Sequence, residues 1–284
     1  MNNKLQQPGI SKQWTPDFFR QSPIFSPLLS WAEKFNQFSD WPGLDDYQNL
    51  LEKNPQPILT KNGLPLKIVK QEGKPGHFTE HYAPRIFLSG EIQTRTENWH
   101  DFFQFLTWFM FPKTKAEINA IHIPAAQERI ENKNDPGRRS PVENMLSLFD
   151  EGGAVILSSD ASLLTLIREF KWKELFWQRR EQLETDFRLV TFGHALYEKG
   201  LAPYLGMTAN CILLHVPQTI LALPELAQLA WLDTQLAEIF QQGKQYQKPK
   251  DLSPFPLLGL PGWDVNNEVE SYYDNKQYFR EGRK

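Results

Sequence analysis

Residues 154–192 read AVILSSDASLLTLIREFKWKELFWQRREQLETDFRLVTF and alternate short apolar runs with helical patterns. Ala154–Leu157 predicts a buried strand, and Asp160 predicts the N-cap of a helix directly after it. A second helical stripe follows, and Arg188–Phe192 and Ile212–Val216 predict two further strands. Because strands that alternate with helices favour a parallel or mixed sheet covered by helices, this stretch indicates an α/β architecture.

Four further helices are predicted around this stretch: Asn98–Phe111, Thr114–Arg129, a helix from Ser140 to Phe149, and Glu225–Phe240. The third has the clearest start, because Ser140, Pro141 and Glu143 have the serine, first-turn proline and glutamate of a capping box. Gly152 and Gly153 follow it and are expected to end the helix with positive backbone angles.

The N-terminal part of the chain is rich in proline, which removes a backbone donor and interrupts helices. We therefore predict that residues 1–80 form a proline-rich N-terminal arm that packs on the body, and that residues 81–284 form the main globular domain. The predicted fold class is α/β or α+β, with a helix-rich single main domain and a small mixed sheet. The aromatic tail that ends with Tyr278 and Phe279 is expected to pack back on the body.

The composition excludes several classes of protein. The 284 residues carry a formal net charge of -3, so no global field attracts nucleic acid or an anionic membrane. The single cysteine, Cys211, excludes an internal disulfide and a cysteine-based zinc site. No apolar run approaches the roughly 20 residues of a membrane span, and the polar start lacks the pattern of a secretory signal. A soluble cytoplasmic protein is expected.

Two candidate groups for chemistry lie on the first two predicted helices. His100 and Asp101 stand at a helix start, where the helix dipole disfavours the charged imidazole and leaves a neutral base or metal ligand. An ordinary helix cap explains the same residues. Asn119 and His122 are three residues apart and so share one helical face, which suits joint contact with a ligand or metal. A buried hydrogen-bonded pair is an equal alternative.

The third candidate is His194 with Glu198. If Arg188–Phe192 is a strand, Gly193 allows a tight turn and His194 lies at the carboxyl end of that strand, where open α/β sheets bind ligands. Glu198 is four residues further on and would share a helical face with His194. The pair could be a histidine base oriented by a carboxylate, or two ligands of one metal ion. Packing of the histidine and a salt bridge to the glutamate is the alternative.

Several dispersed strings resemble a known bacterial family. They include Asn98-Trp-His-Asp-Phe-Phe103, Phe111-Pro-Lys-Thr-Lys115 with Asn119 and His122, Arg139-Ser-Pro141, Leu148-Phe-Asp-Glu151, Phe192–Lys199, Leu258-Gly-Leu-Pro-Gly-Trp263 and Tyr273-Asp274. In this order they resemble the bacterial domain-of-unknown-function family 3025 from about Tyr82 to Arg283, whereas the arm matches weakly. The resemblance implies one domain over most of the chain and no particular chemistry.

Two functions from different classes follow from these patterns. The first is an enzyme whose pocket gathers His100, Asp101, Asn119, His122, His194 and Glu198, with or without a divalent metal ion, for hydrolysis or related acid/base chemistry. The second is a non-catalytic binding or scaffolding protein whose aromatic surfaces and tyrosine-rich tail dock a protein partner. Convergence of the three histidine-bearing segments on one cleft distinguishes the first from the second.

Overall fold

The computed structural model describes residues 9–131 and 139–282, without the side chains of 129–131. Its α-helices are α1 (Leu29–Ala32), α2 (Leu44–Glu52), α3 (Tyr82–Ser89), α4 (Trp99–Met110), α5 (Pro112–Glu131), α6 (Pro141–Gly152), α7 (Ala161–Arg168), α8 (Arg180–Thr185), α9 (His194–Gly200), α10 (Gln218–Leu221) and α11 (Glu225–Gln242). Its strands are β1 (Lys67–Lys70), β2 (Glu91–Thr94), β3 (Gly153–Ser158), β4 (Phe187–Thr191), β5 (Thr208–His215) and β6 (Ser253–Pro256). Short 3₁₀ turns connect many of these elements, and Glu174–Gln178 forms one π-helical turn.

A mixed sheet lies at the centre, as the alternating pattern predicts. The strand order is β4-β3-β5-β6, with β3 and β5 parallel and the two outer pairings antiparallel. Every residue of β3 is buried, which explains its continuous apolar sequence. The separate pair β1 and β2 is parallel. The predicted helix-rich α/β class with a small mixed sheet is confirmed.

Strand β6 is not among the strands that the sequence predicts. Residues 253–256 instead pair with β5 in an antiparallel register, although two of the four are prolines. Proline is tolerated here because β6 is an edge strand and one of its sides has no ladder to form. The tail packs back as expected, since Tyr273, Tyr278 and Phe279 are buried.

The helix starts follow the predicted capping chemistry. Asn98 accepts a hydrogen bond from the backbone N–H of Asp101 at the start of α4, and Ser140 and Glu143 form the capping box of α6. The end of α6 differs from the prediction, because Gly153 has φ −83° and is extended. Glycine is required there for space: a Cβ on Gly153 would lie 2.2 Å from the Phe149 carbonyl oxygen.

Two contacts fix α5, the helix that carries Asn119 and His122. Asp233 of α11 accepts hydrogen bonds from the backbone N–H groups of Lys113 and Thr114, which would otherwise be unpaired at the helix start. The Thr114 hydroxyl donates in return to the Asp233 carbonyl. The first turn of α5 is thereby docked on α11.

The N-terminal residues pack on α4 through aromatic rings. Phe18 is fully buried and meets Phe102 and Phe103 edge to face. Trp14 stacks on Trp99 with ring centroids 5.0 Å apart. Within the described residues, no helix combines the length and apolarity needed to cross a bilayer.

Candidate functional site

A cavity of about 320 Å³ lies between α3, α4, α5, α6 and the start of α9. Its lining comes from one face of each helix. On α4 these residues are His100, Gln104 and Trp108, at spacings of four; on α5 they are Lys115, Ile118, Asn119, His122 and Ala126; and on α6 they are Glu143, Ser147, Asp150 and Glu151. Such spacings make each helix a single wall of the cavity.

The structure brings together the three histidines that the sequence places far apart. His100, His122 and His194 line the same cavity, and Asn119 lines it with them. Their chemical role stays a prediction, but lining one cavity is the arrangement that the enzyme hypothesis requires. The other two candidates are not among the lining residues: the Glu198 carboxylate contacts Nδ1 of His100, and Asp101 forms a bidentate pair with Arg95.

His100 and His194 contact each other directly. Their Nε2 atoms are 3.0 Å apart, and the two rings are nearly perpendicular. Nδ1 of His100 is 3.0 Å from a carboxylate oxygen of Glu198. Nδ1 of His194 faces a carboxylate oxygen of Asp150 at 3.8 Å. The result is a histidine pair with a carboxylate at each outer nitrogen.

This arrangement has an unusual proton requirement. The two inner nitrogens hold one proton between them, because one must donate and the other accept. Each outer nitrogen faces a carboxylate, which when ionised can only accept. Two neutral rings carry two protons for three such positions, so one carboxylate must face a bare nitrogen.

Burial distinguishes the two rings. Burial lowers the pKa of His194 to about 3, although Asp150 opposes that shift. The His194 side chain is only 3% exposed, whereas that of His100 is 32% exposed. A charged ring is less costly where water or a polar ligand reaches it. His194 is therefore the neutral ring of the pair.

Asp150 is held in its charged form by Lys115. The Lys115 ammonium donates to Asp150 at 2.5 Å, and both residues line the cavity. Burial acts to raise the pKa of Asp150, but the nearby Lys115 charge and the other contacts outweigh it and hold the pKa below its usual value. The Lys115 ammonium also lies 5.6 Å from the centroid of the Trp108 ring.

The site predicted from the sequence differs from the observed site in two respects. Glu198 was expected to orient His194, its neighbour on α9, but its carboxylate contacts His100 of α4; the carboxylate that faces His194 is Asp150 of α6. Lys115 and Asp150 were missed as site residues. The sequence could have identified Lys115, because it lies one turn before Asn119 on the same face of α5. Nothing local identified Asp150 as its partner.

The cavity offers only part of a metal site. Among the side chains that the structure describes, no group of three or more histidine, cysteine, aspartate or glutamate residues is arranged to hold a metal ion. The two Nε2 atoms converge as ligands of one ion would, with carboxylates behind them, and could supply two ligands. The donor set thus fits a divalent metal only in part.

Comparison with known proteins identifies a family for most of the chain. No curated protein and no solved structure matches it significantly. A family model does match, over residues 66–283, and its description is "Protein of unknown function (DUF3025)". The match covers all the cavity residues and begins with the first strand. On this basis the chain belongs to the DUF3025 family.

Proposed function

We propose that the cavity is the active site of an enzyme that catalyses acid–base chemistry on a small substrate. The observation that carries the proposal is the direct contact between His100 and His194, with a carboxylate behind each ring, on the wall of a cavity. Hydrolysis is the reaction class we favour, because a group that accepts and then returns a proton, together with water, is sufficient for it.

Each residue of the pair has a distinct role in this proposal. The neutral pair takes a proton from the attacking water as its oxygen bonds to the electrophilic atom of the substrate. The pair then holds three protons, which its two carboxylates stabilise. It returns the additional proton to the leaving group as the bond to that group breaks, which restores the starting state. His100 exchanges the proton, since it is the more exposed ring, and His194 is its neutral partner.

The remaining candidates support these two histidines. Glu198 orients His100, and Lys115 holds the Asp150 carboxylate beside His194. We propose that Asn119 and His122, which line the cavity from α5, contact the substrate. Asp101 has a structural role instead, because it joins Arg95 to the first turn of α4.

Turnover of model substrates tests this function. Purified protein is assayed against chromogenic esters, anilides, phosphate esters and glycosides, beside His100→Gln, His194→Gln and the surface control His77→Gln. Loss of a proton-transfer group costs about 10²–10⁴-fold in rate. We expect that loss in both cavity variants, with the control unchanged. Equal turnover in the cavity variants, or a wild-type protein inactive on every class, contradicts the proposal.

The metal-dependent version has a separate measurement. Metal content is determined on the purified wild-type protein and after dialysis against zinc or manganese. Bound metal at one equivalent, lost in His100→Gln and His194→Gln, would mean that the two histidines supply ligands to a bound ion. Metal content that is zero, or equal in the variants, would mean that His100 and His194 are joined by their direct hydrogen bond and not by a metal ion.

The scaffolding alternative receives less support. It rested on aromatic surfaces and the tyrosine-rich tail, yet in that tail Tyr273 and Tyr278 are 1% and 5% exposed and their rings pack in the interior. These side chains are therefore not available to dock a partner. We further propose a bacterial, cytoplasmic setting, which is supported by the family resemblance and by a single buried cysteine that forms no disulfide.

A further inference from the structure

Helix α4 is buried except at two positions. Every residue from Asp101 to Met110 is buried apart from Gln104, and His100 precedes that stretch with a partly exposed ring. Both of these residues line the cavity between the helices. The surface that α4 leaves open therefore faces the candidate site, and it belongs to one histidine and one glutamine.

The Gln104 amide has no partner in the protein that explains a polar residue at this position. Among its polar neighbours on α4, the Asp101 carboxylate is paired with Arg95, and the Thr107 hydroxyl donates to a backbone carbonyl. The Gln104 amide makes no hydrogen bond to any residue that the structure describes. Neither of its polar atoms is among the buried unpaired atoms of the described side chains, so the amide is accessible. It is therefore available to a ligand of the cavity.

The position of Gln104 on the helix brings its amide close to the histidine pair. Gln104 lies one turn after His100, and side chains of a helix are directed back toward the N-terminus, over the preceding turn. The Cβ atoms of two residues at this spacing are about 5–6 Å apart. A reacting atom about 3 Å from each of two functional groups fits between side chains at that separation.

We propose that Gln104 is a further catalytic residue, whose side-chain N–H donates to the carbonyl oxygen of an acyl substrate as negative charge develops on that oxygen. The inference rests on the proposed function and names its substrate class, a carboxylic ester or amide. No hydrogen bond fixes the Gln104 amide, so it can rotate to present Nε2 to this oxygen. Asparagine and glutamine side chains are among the donors that stabilise oxyanions in acyl transfer.

The reaction balances in two steps. As the water oxygen bonds to the carbonyl carbon, a water proton passes to the histidine pair and the π electrons of the C=O bond move to the oxygen, where the Gln104 N–H stabilises the oxyanion. As the C=O bond forms again, the bond to the leaving group breaks with its electron pair, and the leaving group takes the proton from the histidine pair. The products are a carboxylic acid and an alcohol or amine.

A neutral donor distinguishes acyl transfer from the other hydrolytic reactions. In acyl transfer the charge develops on one oxygen, which a single amide N–H can contact. Phosphoryl transfer spreads charge over three oxygens and uses cationic groups around them, whereas the buried cation of this cavity wall, Lys115, is paired with Asp150. Glycoside hydrolysis passes through a transition state resembling an oxocarbenium ion, whose positive charge a hydrogen-bond donor does not stabilise.

Kinetics of Gln104 variants test the inference. Gln104→Leu removes the donor, and Gln104→Glu replaces it with an acceptor of the same shape; the control is Gln241→Leu at an exposed position of α11. On the ester or anilide that the wild type hydrolyses, we expect kcat to fall about 10²–10³-fold in both cavity variants, with the control unchanged. KM should change less than about threefold, because the hydrogen bond strengthens only in the transition state.

Binding of a tetrahedral mimic gives a readout that needs no turnover. Trifluoroacetophenone is hydrated in water and presents a tetrahedral carbon with an acidic hydroxyl, whereas acetophenone stays planar. By calorimetry we expect Gln104→Leu to weaken the hydrated ketone about 10- to 100-fold, as loss of a hydrogen bond to a charged group does, and acetophenone less than about fivefold. Thermal unfolding establishes that each variant is folded.

Three results overturn the inference: wild-type kcat in Gln104→Leu, a loss confined to KM, or turnover of phosphate esters or glycosides without esters or anilides. In each case the proposed function stands if His100→Gln and His194→Gln lose turnover. A wild type that turns over no substrate class contradicts the proposed function itself. Equal binding of the hydrated ketone by the wild type and Gln104→Leu then overturns this inference separately.

Discussion

A buried neutral imidazole makes a protein sensitive to acid, and His194 is such a group. Its pKa is about 3 in the folded protein, mainly because of burial, against about 6.5 in the unfolded chain. Below pH 6.5 the unfolded chain therefore binds a proton at this residue and the folded protein does not. The free energy of unfolding falls as the pH decreases through this window, by up to about 1.4 kcal/mol per pH unit from His194.

We expect His194→Gln to remove this pH dependence. Urea unfolding at pH 7, 6 and 5 should show a shallower loss of stability in the variant than in the wild type. The surface variant His77→Gln should follow the wild type. The lowered pKa of Asp150 does not interfere, because stability from that carboxylate is lost only below its unfolded value near pH 4. Parallel pH curves for wild type and His194→Gln would contradict the assignment of a buried neutral ring.

The pair Lys115 and Asp150 gives a second expectation for single residues. Their side chains are 4% and 18% exposed, so Lys115→Met leaves a largely buried carboxylate without its cation. Breaking a buried pair costs about 3–5 kcal/mol, because the remaining charge is uncompensated. The double variant Lys115→Met with Asp150→Asn should recover much of that loss, as measured by urea unfolding. A single variant as stable as the wild type would show that water already screens Asp150.

At the scale of elements, the turn from β4 into α9 positions His194. The backbone N–H groups of Phe192 and Gly193 both donate to the Gly153 carbonyl, which places the turn tightly against the start of β3. A Cβ on Gly193 would lie 2.4 Å from the Glu151 carbonyl oxygen and 2.5 Å from the Gly153 nitrogen. Both neighbours are backbone atoms, which cannot move aside as a side chain can.

We therefore expect Gly193→Ala to displace α9 and separate His194 from His100. The cost is about 1–3 kcal/mol of unfolding free energy, typical of overpacking. Thermal unfolding measures that cost, and imidazole nitrogen NMR signals report the loss of the contact between the two rings. Gly76→Ala is the control, since a Cβ there meets nothing closer than 3.5 Å. A variant with native stability and native imidazole signals would refute this role of the turn.

At the scale of the whole molecule, the N-terminal segment forms part of the core. Phe18 is fully buried among rings of α4, and Trp99 of that helix donates through Nε1 to the Ser11 carbonyl. Helix α4 also carries His100 on another face. The packing of the first residues is thus linked mechanically to the helix that forms one wall of the cavity.

Phe18→Ala tests whether the arm and the body unfold together. Truncation of a buried phenylalanine costs about 3–5 kcal/mol. We expect one cooperative thermal transition at lower temperature, with Leu59→Ala as an exposed control on the same segment. An early separate transition, with the main transition unchanged, would mean that the arm unfolds independently of the body.

Local chemistry determines much of this protein directly from its sequence. The caps at Asn98, Ser140 and Asp160 depend on residues within a few positions of each helix start, so they could be predicted correctly. The apolar run of β3 and the shared face of Asn119 and His122 likewise follow from periodicity. These patterns were sufficient to propose the three histidine segments of the site.

Contacts between distant segments required the folded chain. Sequence spacing gives the face of a helix on which a side chain lies, but not the element that this face meets. Glu198 was therefore assigned to its helix neighbour His194, whereas the packing of α9 against α4 brings it to His100, 98 positions away. The pairing of Lys115 with Asp150 and the strand at residues 253–256 have the same origin. Each depends on how helices and strands pack, which no local pattern records.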